Sequence, residues 1–197
     1  MTDSTLNLQN RNAQHHMHSF SDFAYTNNPS ATHIITHADG VYIHDSDGHK
    51  ILDSMSGLWC VNMGYGQQSI INAVNDQMKE LVYYNNFFGT SHPSAIKLSE
   101  MITDLTPEGL NKIYFTGSGS EANDTMIRLV RHYWAAKGKP SKSVIISRKN
   151  AYHGSTMAGA SLGGMSTMHA QGGLPIPCLL YTSPSPRDQR GSRMASG

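Results

Sequence analysis

The stretch TGSGSEA at 116–122 joins an apolar, β-branched run to the start of an amphipathic one. Gly117 and Gly119 let a backbone come close to a ligand. If a helix begins here, the amides of Gly119 and Ser120 find no carbonyl inside it, and its dipole favours an anion at that end. Phosphate is the chemistry that suits these residues. Ser118 and Glu121 also have the spacing of a capping box, so a plain helix cap suits them too. A dinucleotide is a third reading, because Gly117-x-Gly119-x-x-Ala122 follows the loose form of that fingerprint. The fingerprint wants an acidic residue about 20 positions on. Ser147, Arg148 and Lys149 stand at the end of the next expected strand, which disfavours NAD and leaves NADP open. The Gly-Lys-Ser/Thr ending of a triphosphate-binding loop is absent.

A second cluster, AYHGST at 151–156, follows the apolar run SVIIS at 143–147. Tyr152 and His153 therefore fall where a strand ends, the ligand edge of an open α/β sheet. Tyr152 as core and His153 as a cap is the plainer alternative. One phosphate turn beside one flat ring points to pyridoxal phosphate more than to a dinucleotide.

The elements that must position these residues alternate. HIIT (33–36) and GVYIH (40–44) read as strands, and KILD (50–53) pairs with the latter across the Asp-Gly turn of DSDGH (45–49). A helix is expected at 67–82 with Ile70, Val74, Met78 and Leu81 on one face. Another starts at Pro93, with Ala95, Leu98, Ile102 and Leu105 inward, and ends by Pro107. KIYFT (112–116) reads as a strand, and the helix after it reaches Ala136 with Ala122, Met126, Leu129, Val130 and Tyr133 as its core face. Arg128 and Arg131 fall on its solvated face. Strand, helix, strand in this order predicts an α/β fold with a parallel sheet.

The chain has 197 residues, 38% hydrophobic and 15% charged, with a net charge of +1. That excludes a highly charged disordered chain and supplies no field to attract nucleic acid or an anionic membrane. No apolar run is long enough for a bilayer, and the polar start lacks a secretory pattern, so a cytoplasmic location is expected. His15, His16 and His18 have no acidic or cysteine partner at metal-site spacing, and no metal is expected. Cys60 reads as a small buried thiol, and YYNNFF (83–88) places aromatics on both sides of an extended segment, some towards a surface. From Cys178 the chain reads CLLYTSPSPRDQRGSRMASG, which after Leu180 has no helical or strand period. It resembles translated vector sequence, so 178–197 is expected to be a non-native tail.

Four segments together carry a family resemblance: SGLWCVNMGYG (56–66), YNNFFGTSHP (84–93), GSGSEANDT (117–125) and AYHGST (151–156). They resemble the class III pyridoxal-phosphate aminotransferases, most nearly the ω-amino acid–pyruvate transaminases, over 11–177. The resemblance implies fold type I, with 1–60 forming the N-terminal segment and small-domain hairpin. Residues 61–177 would begin the large pyridoxal-phosphate domain. It implies a homodimer that moves an amino group from an ω-amino acid or amine to pyruvate by a ping-pong route through pyridoxamine phosphate. Ser118, Gly119 and Ser120 match the phosphate cup, Tyr152 the ring stacked on the pyridine, and His153 its neighbour. Phe20, Leu58, Trp59 and Phe87 match positions lining the substrate pocket. Ser19 departs from a proline common before that phenylalanine.

The family also uses a lysine for the Schiff base. The eight lysines here are Lys50, Lys79, Lys97, Lys112, Lys137, Lys139, Lys142 and Lys149, and none matches that motif. The catalytic lysine is therefore expected beyond this chain, and the chain is expected to be an inactive N-terminal fragment.

Overall fold

The computed structural model describes residues 4–176 and the backbone of 180–183. Two compact units divide the chain, one running to His92 and one beginning at Pro93. The boundary expected at 60/61 concerns domains of the whole protein, whereas the division at 92/93 describes this chain.

In the first unit, α1 (Thr5–His15) starts where the Ser4 hydroxyl accepts the Asn7 amide. Asn12 on α1 donates to the Thr32 hydroxyl and also meets the His16 and His18 rings. The single turn α2 (Phe23–Thr26) is capped by Asp22. Strands β1 (Ile35–Asp39), β2 (Tyr42–Asp45) and β3 (Lys50–Leu52) form an antiparallel sheet in that order. Register is Asp39 opposite Tyr42 and Tyr42 opposite Leu52. The expected hairpin turn is present for a local reason. Asp45 folds its carboxylate back to accept the Asp47 amide at 3.0 Å and the His49 amide at 2.8 Å, and Gly48 supplies a φ of +89°. One turn, α3 (Ser56–Trp59), and then α4 (Gln68–Glu80) follow. Ile70, Val74 and Met78 of α4 and its C-cap Leu81 are all exposed.

In the second unit, α5 (Pro93–Thr103) begins at the expected proline and stops four residues before Pro107. Helix α6 (Gly119–Ala136), strand β4 (Ile145–Arg148), α7 (Met157–Leu162), α8 (Ser166–His169) and β5 (Leu180–Ser183) complete it. Strands β4 and β5 pair in parallel, Ile145 with Leu180 through to Arg148 with Ser183. Ile127 and Leu162 form the buried centre, with Ile145, Ala158 and Ile176 packed on it.

Several expectations need correction. KIYFT at 112–116 is not a strand, because among the described residues nothing gives it a ladder. The parallel pair is β4–β5 instead, and Leu180–Ser183 comes from the stretch that lacked a visible period. An open strand edge needs only backbone groups to recruit such a segment. On α6 the buried residue is Ile127, while Met126, Leu129, Val130 and Tyr133 are exposed. Arg131 is half-buried rather than solvated, and its Nε and Nη2 both donate to the Ser143 carbonyl, at 3.1 and 3.0 Å. YYNNFF pairs with no strand among the described residues, and it ends in a turn at Phe88–Gly89 where Asn85 accepts the Phe87 amide and the Thr90 hydroxyl. Cys60 is exposed, not buried.

Candidate cofactor site

Ser118 is the N-cap of α6, extended at φ −158° and ψ 162°, and its hydroxyl accepts the Glu121 amide at 3.2 Å. Glu121 turns back and accepts the Gly117 amide at 2.7 Å. The cap expected from the sequence therefore exists, with the return bond placed one residue earlier than in a standard box. Capping leaves the amides of Gly119 and Ser120 without an acceptor in the helix. A Cβ placed on Gly119 would have nothing within 4 Å, so the space beside this first helical residue is open.

The 151–156 loop docks directly on this helix end. Ser120 Oγ accepts the Ser155 amide at 3.1 Å. Gly154 is buried at φ +129°, and a Cβ there would stand 2.6 Å from Ser120 Oγ and 2.9 Å from Ser120 Cα. Asn123 Nδ2 donates to the His153 carbonyl at 2.6 Å, and the Thr156 hydroxyl donates to Asp124 Oδ1 at 2.8 Å. Thr156 is at the same time the N-cap of α7. Behind the loop, Asn150 at φ +62° donates its amide to the Gly164 carbonyl, and Gly164 donates to Ala151. Tyr152, held between these anchors, is exposed, and His153 is half-buried.

The two clusters marked in the sequence are thus one structure. Asn123 and Asp124 had no role assigned, and Gly154, Ser155 and Thr156 were marked only as part of the 151–156 cluster. Their signal lay in polar residues on the first turns of an otherwise amphipathic helix, opposite a Gly-Ser-Thr loop. Chemically the site offers two helix amides and the hydroxyl hydrogens of Ser118 and Ser120, since each oxygen already accepts an amide and keeps its own proton to give. That donor set fits a phosphate monoester.

Phe20, Leu58, Trp59 and Phe87 lie in the first unit, all exposed. Three of the four, all but Phe87, share an unusual backbone. Positive φ occurs at Phe20 (51°), Ser56 (50°), Leu58 (63°), Trp59 (66°) and Phe88 (55°), next to Phe87. With Gly57 at 58°, α3 is a turn of left-handed helix, closed by the Trp59 amide on the Met55 carbonyl at 2.8 Å. For a residue with a Cβ that hand costs roughly 1–2 kcal/mol, and such strain gathers at functional sites.

Asp45, Asp47 and His49 bring ligand-type atoms within 4.8 Å of one another. The Asp45 carboxylate is occupied by the turn and by His49 Nδ1 at 2.8 Å. That ring bond holds Asp45 below its ordinary range and His49 above its own.

Comparison with known proteins gives a consistent picture. The class III aminotransferase family model matches residues 24–194. A putrescine–pyruvate aminotransferase of Pseudomonas aeruginosa is 56% identical over 167 residues, 85% of this chain and 36% of that protein. A crystal structure of a transaminase from the marine bacterium Virgibacillus superposes with a TM-score of 0.86 at 34% identity, covering 96% of this chain and 45% of that one. An omega transaminase from Pseudomonas jessenii in complex with PMP gives 0.87 at 35% identity, over 91% of this chain and 39% of that one. The chain spans about a third of the length of the curated relatives it matches. It belongs to the class III aminotransferases, a pyridoxal-phosphate-dependent family of fold type I.

Proposed function

We propose that the protein containing this chain transfers an amino group from an ω-amino acid or amine to pyruvate in a ping-pong sequence, as a homodimer. Support for the donor and acceptor comes from the 56% identity to the Pseudomonas aeruginosa putrescine–pyruvate enzyme. The observation that carries the cofactor reading is the docking of Gly154–Ser155 on Ser120, which sets an aromatic loop against an open, donor-rich helix end.

In this reading the amides of Gly119 and Ser120 and the hydroxyls of Ser118 and Ser120 bind the phosphate. Tyr152 would stack on the pyridine ring, with His153 next to it in the same loop. Pyridoxal phosphate, when bound, supplies the electron sink that lets nitrogen leave one carbon and join another. The remaining work assigned to this chain is binding and orientation. The α6 dipole holds the phosphate, Asn123 and Asp124 fix the loop, and Phe20, Leu58, Trp59 and Phe87 wall the substrate and exclude water.

Residues 1–197 by themselves do not transaminate in this account. Their eight lysines are all exposed, and four of them rest on aromatic rings: Lys50 on Tyr42, Lys137 on Tyr133, and Lys139 and Lys142 on Trp134. The full-length protein decides the function. Titration with pyridoxal phosphate should produce the visible absorbance of the bound cofactor, and putrescine, β-alanine or an aromatic amine should yield alanine from pyruvate. Retention of NADPH with no response to pyridoxal phosphate would establish the dinucleotide alternative.

A further inference from the structure

The left-handed turn α3 is held from outside by two side chains. Asp53 Oδ2 accepts the Gly57 amide at 2.7 Å and the Tyr65 hydroxyl at 2.7 Å, and Asp53 Oδ1 accepts the Met55 amide at 3.2 Å. Tyr65 is itself fixed, since its amide donates to the Gly40 carbonyl at 2.7 Å beside the β1–β2 hairpin. Packing around Gly57 is close. A Cβ on Gly57 would stand 2.9 Å from Val61 Cγ2 and 3.1 Å from the Tyr65 hydroxyl. Trp59, by contrast, is 82% exposed, and Leu58 is exposed as well. Neither side chain is buried in this unit, and the backbone of the turn sets the direction in which both leave it. That backbone has a strained hand which persists only when its surroundings over-determine it.

We propose that Asp53 and Tyr65 are positioning residues that set selectivity for amine size by locking the left-handed turn that presents Leu58 and Trp59. The proposal rests on the reading of those two residues as pocket walls. Tyr65 donates and Asp53 accepts, and the same bond keeps the carboxyl ionised below its usual range and raises the phenol, so the lock persists through the neutral range. Losing the phenolic hydroxyl removes one of the two bonds on Asp53 Oδ2, unfixes the carboxylate that holds the Gly57 amide, and lets Gly57–Trp59 relax towards the right-handed region. The indole then leaves its place, and bulky amines gain relative to small ones.

The test uses the full-length holoenzyme with Tyr65→Phe, Asp53→Asn, Trp59→Leu and the double variant Tyr65→Phe/Trp59→Leu. The ratio of kcat/KM for a bulky amine to that for a small one should rise roughly tenfold in Tyr65→Phe, and at least as far in Asp53→Asn. In the Trp59→Leu background the Tyr65 substitution should move it by less than about twofold, because the group it positions is gone. With Trp134 and every tryptophan beyond residue 197 changed to Phe, Trp59 becomes the only indole, and its fluorescence anisotropy should fall in Tyr65→Phe. A lowered Tm with an unchanged ratio and unchanged anisotropy would reduce Asp53 and Tyr65 to scaffold and overturn the proposal. If Trp59→Leu alone left the ratio unchanged, the pocket-wall reading and the selectivity claim would both fall. The anisotropy would then still report whether the pair locks the turn.

Discussion

The Ser120 hydroxyl of α6 accepts the amide of Ser155, 35 residues downstream, at 3.1 Å, and Gly154 lies flat against the same serine. The turn at 117–121 and the 151–156 loop are therefore mechanically one piece. Changes in the loop should be felt at the helix end and the reverse.

Gly154→Ala tests this coupling. The new methyl would stand 2.6 Å from Ser120 Oγ and impose a φ of +129° on a residue with a Cβ. The expected cost is roughly 1–3 kcal/mol of stability. Retention of pyridoxal phosphate should weaken as well, measured by dialysis of the full-length holoenzyme. Lost stability with unchanged retention would show that the loop does not shape the cup.

The Asp45–His49 turn should carry a pH signature. Asp45 is held below its ordinary 3.8 and His49 above its ordinary 6.5, first of all by the hydrogen bond they share. Stability from the lowered Asp45 is present above 3.8 and is lost as pH falls through the depressed value. Stability from the raised His49 is complete below 6.5 and is lost as pH rises through the elevated value. The hairpin is thus firmest between 3.8 and 6.5. An NMR titration should find the His49 midpoint above 6.5, and Asp45→Ala should return it there. A midpoint of 6.5 or lower in the unsubstituted chain would contradict the turn geometry.

Expressed alone, residues 1–197 should associate. Helix α4 exposes Ile70, Val74 and Met78, and α6 exposes Met126, Leu129, Val130 and Tyr133, each set on an apolar stripe. Contiguous faces of this kind mark surfaces meant for other protein. Light scattering should show oligomers, and no alanine should form from pyruvate. A monodisperse monomer that melts cooperatively would contradict this.

What was legible in the sequence was what is decided locally. Ser118 and Glu121, Pro93, and the Asp-Gly turn at 45–49 act over a few residues, and each appears where the spacing places it. The face of α6 was not legible. Its apolar residues, Met126, Ile127, Leu129, Val130, Tyr133 and Trp134, cover an arc broad enough for two faces. Contact with α7 and β4 selects Ile127, and the rest stays exposed. KIYFT has strand composition, yet a strand exists only with a partner to pair with. The left-handed α3 was hidden for another reason. Nothing in the propensities of serine, leucine or tryptophan favours positive φ, and the Asp53–Tyr65 bond that imposes it spans 12 residues. Of the candidate site, the capped turn at 117–121 and the loop carrying Tyr152 could be marked, but not the Asn123 and Asp124 contacts that join them.

The most direct test of the phosphate cup is Ser120→Ala in the full-length protein, measured as the affinity for pyridoxamine phosphate by calorimetry. The substitution keeps the Ser120 amide and removes a hydroxyl that donates to a charged acceptor, worth roughly 1.5–3 kcal/mol. Binding should weaken roughly tenfold to a hundredfold. Binding of pyridoxamine without its phosphate should change far less. The helix should remain formed, because its cap is the Ser118 hydroxyl on the Glu121 amide. An unchanged affinity for pyridoxamine phosphate, with stability lowered equally in the presence and absence of ligand, would make Ser120 a loop anchor only and the cup assignment wrong.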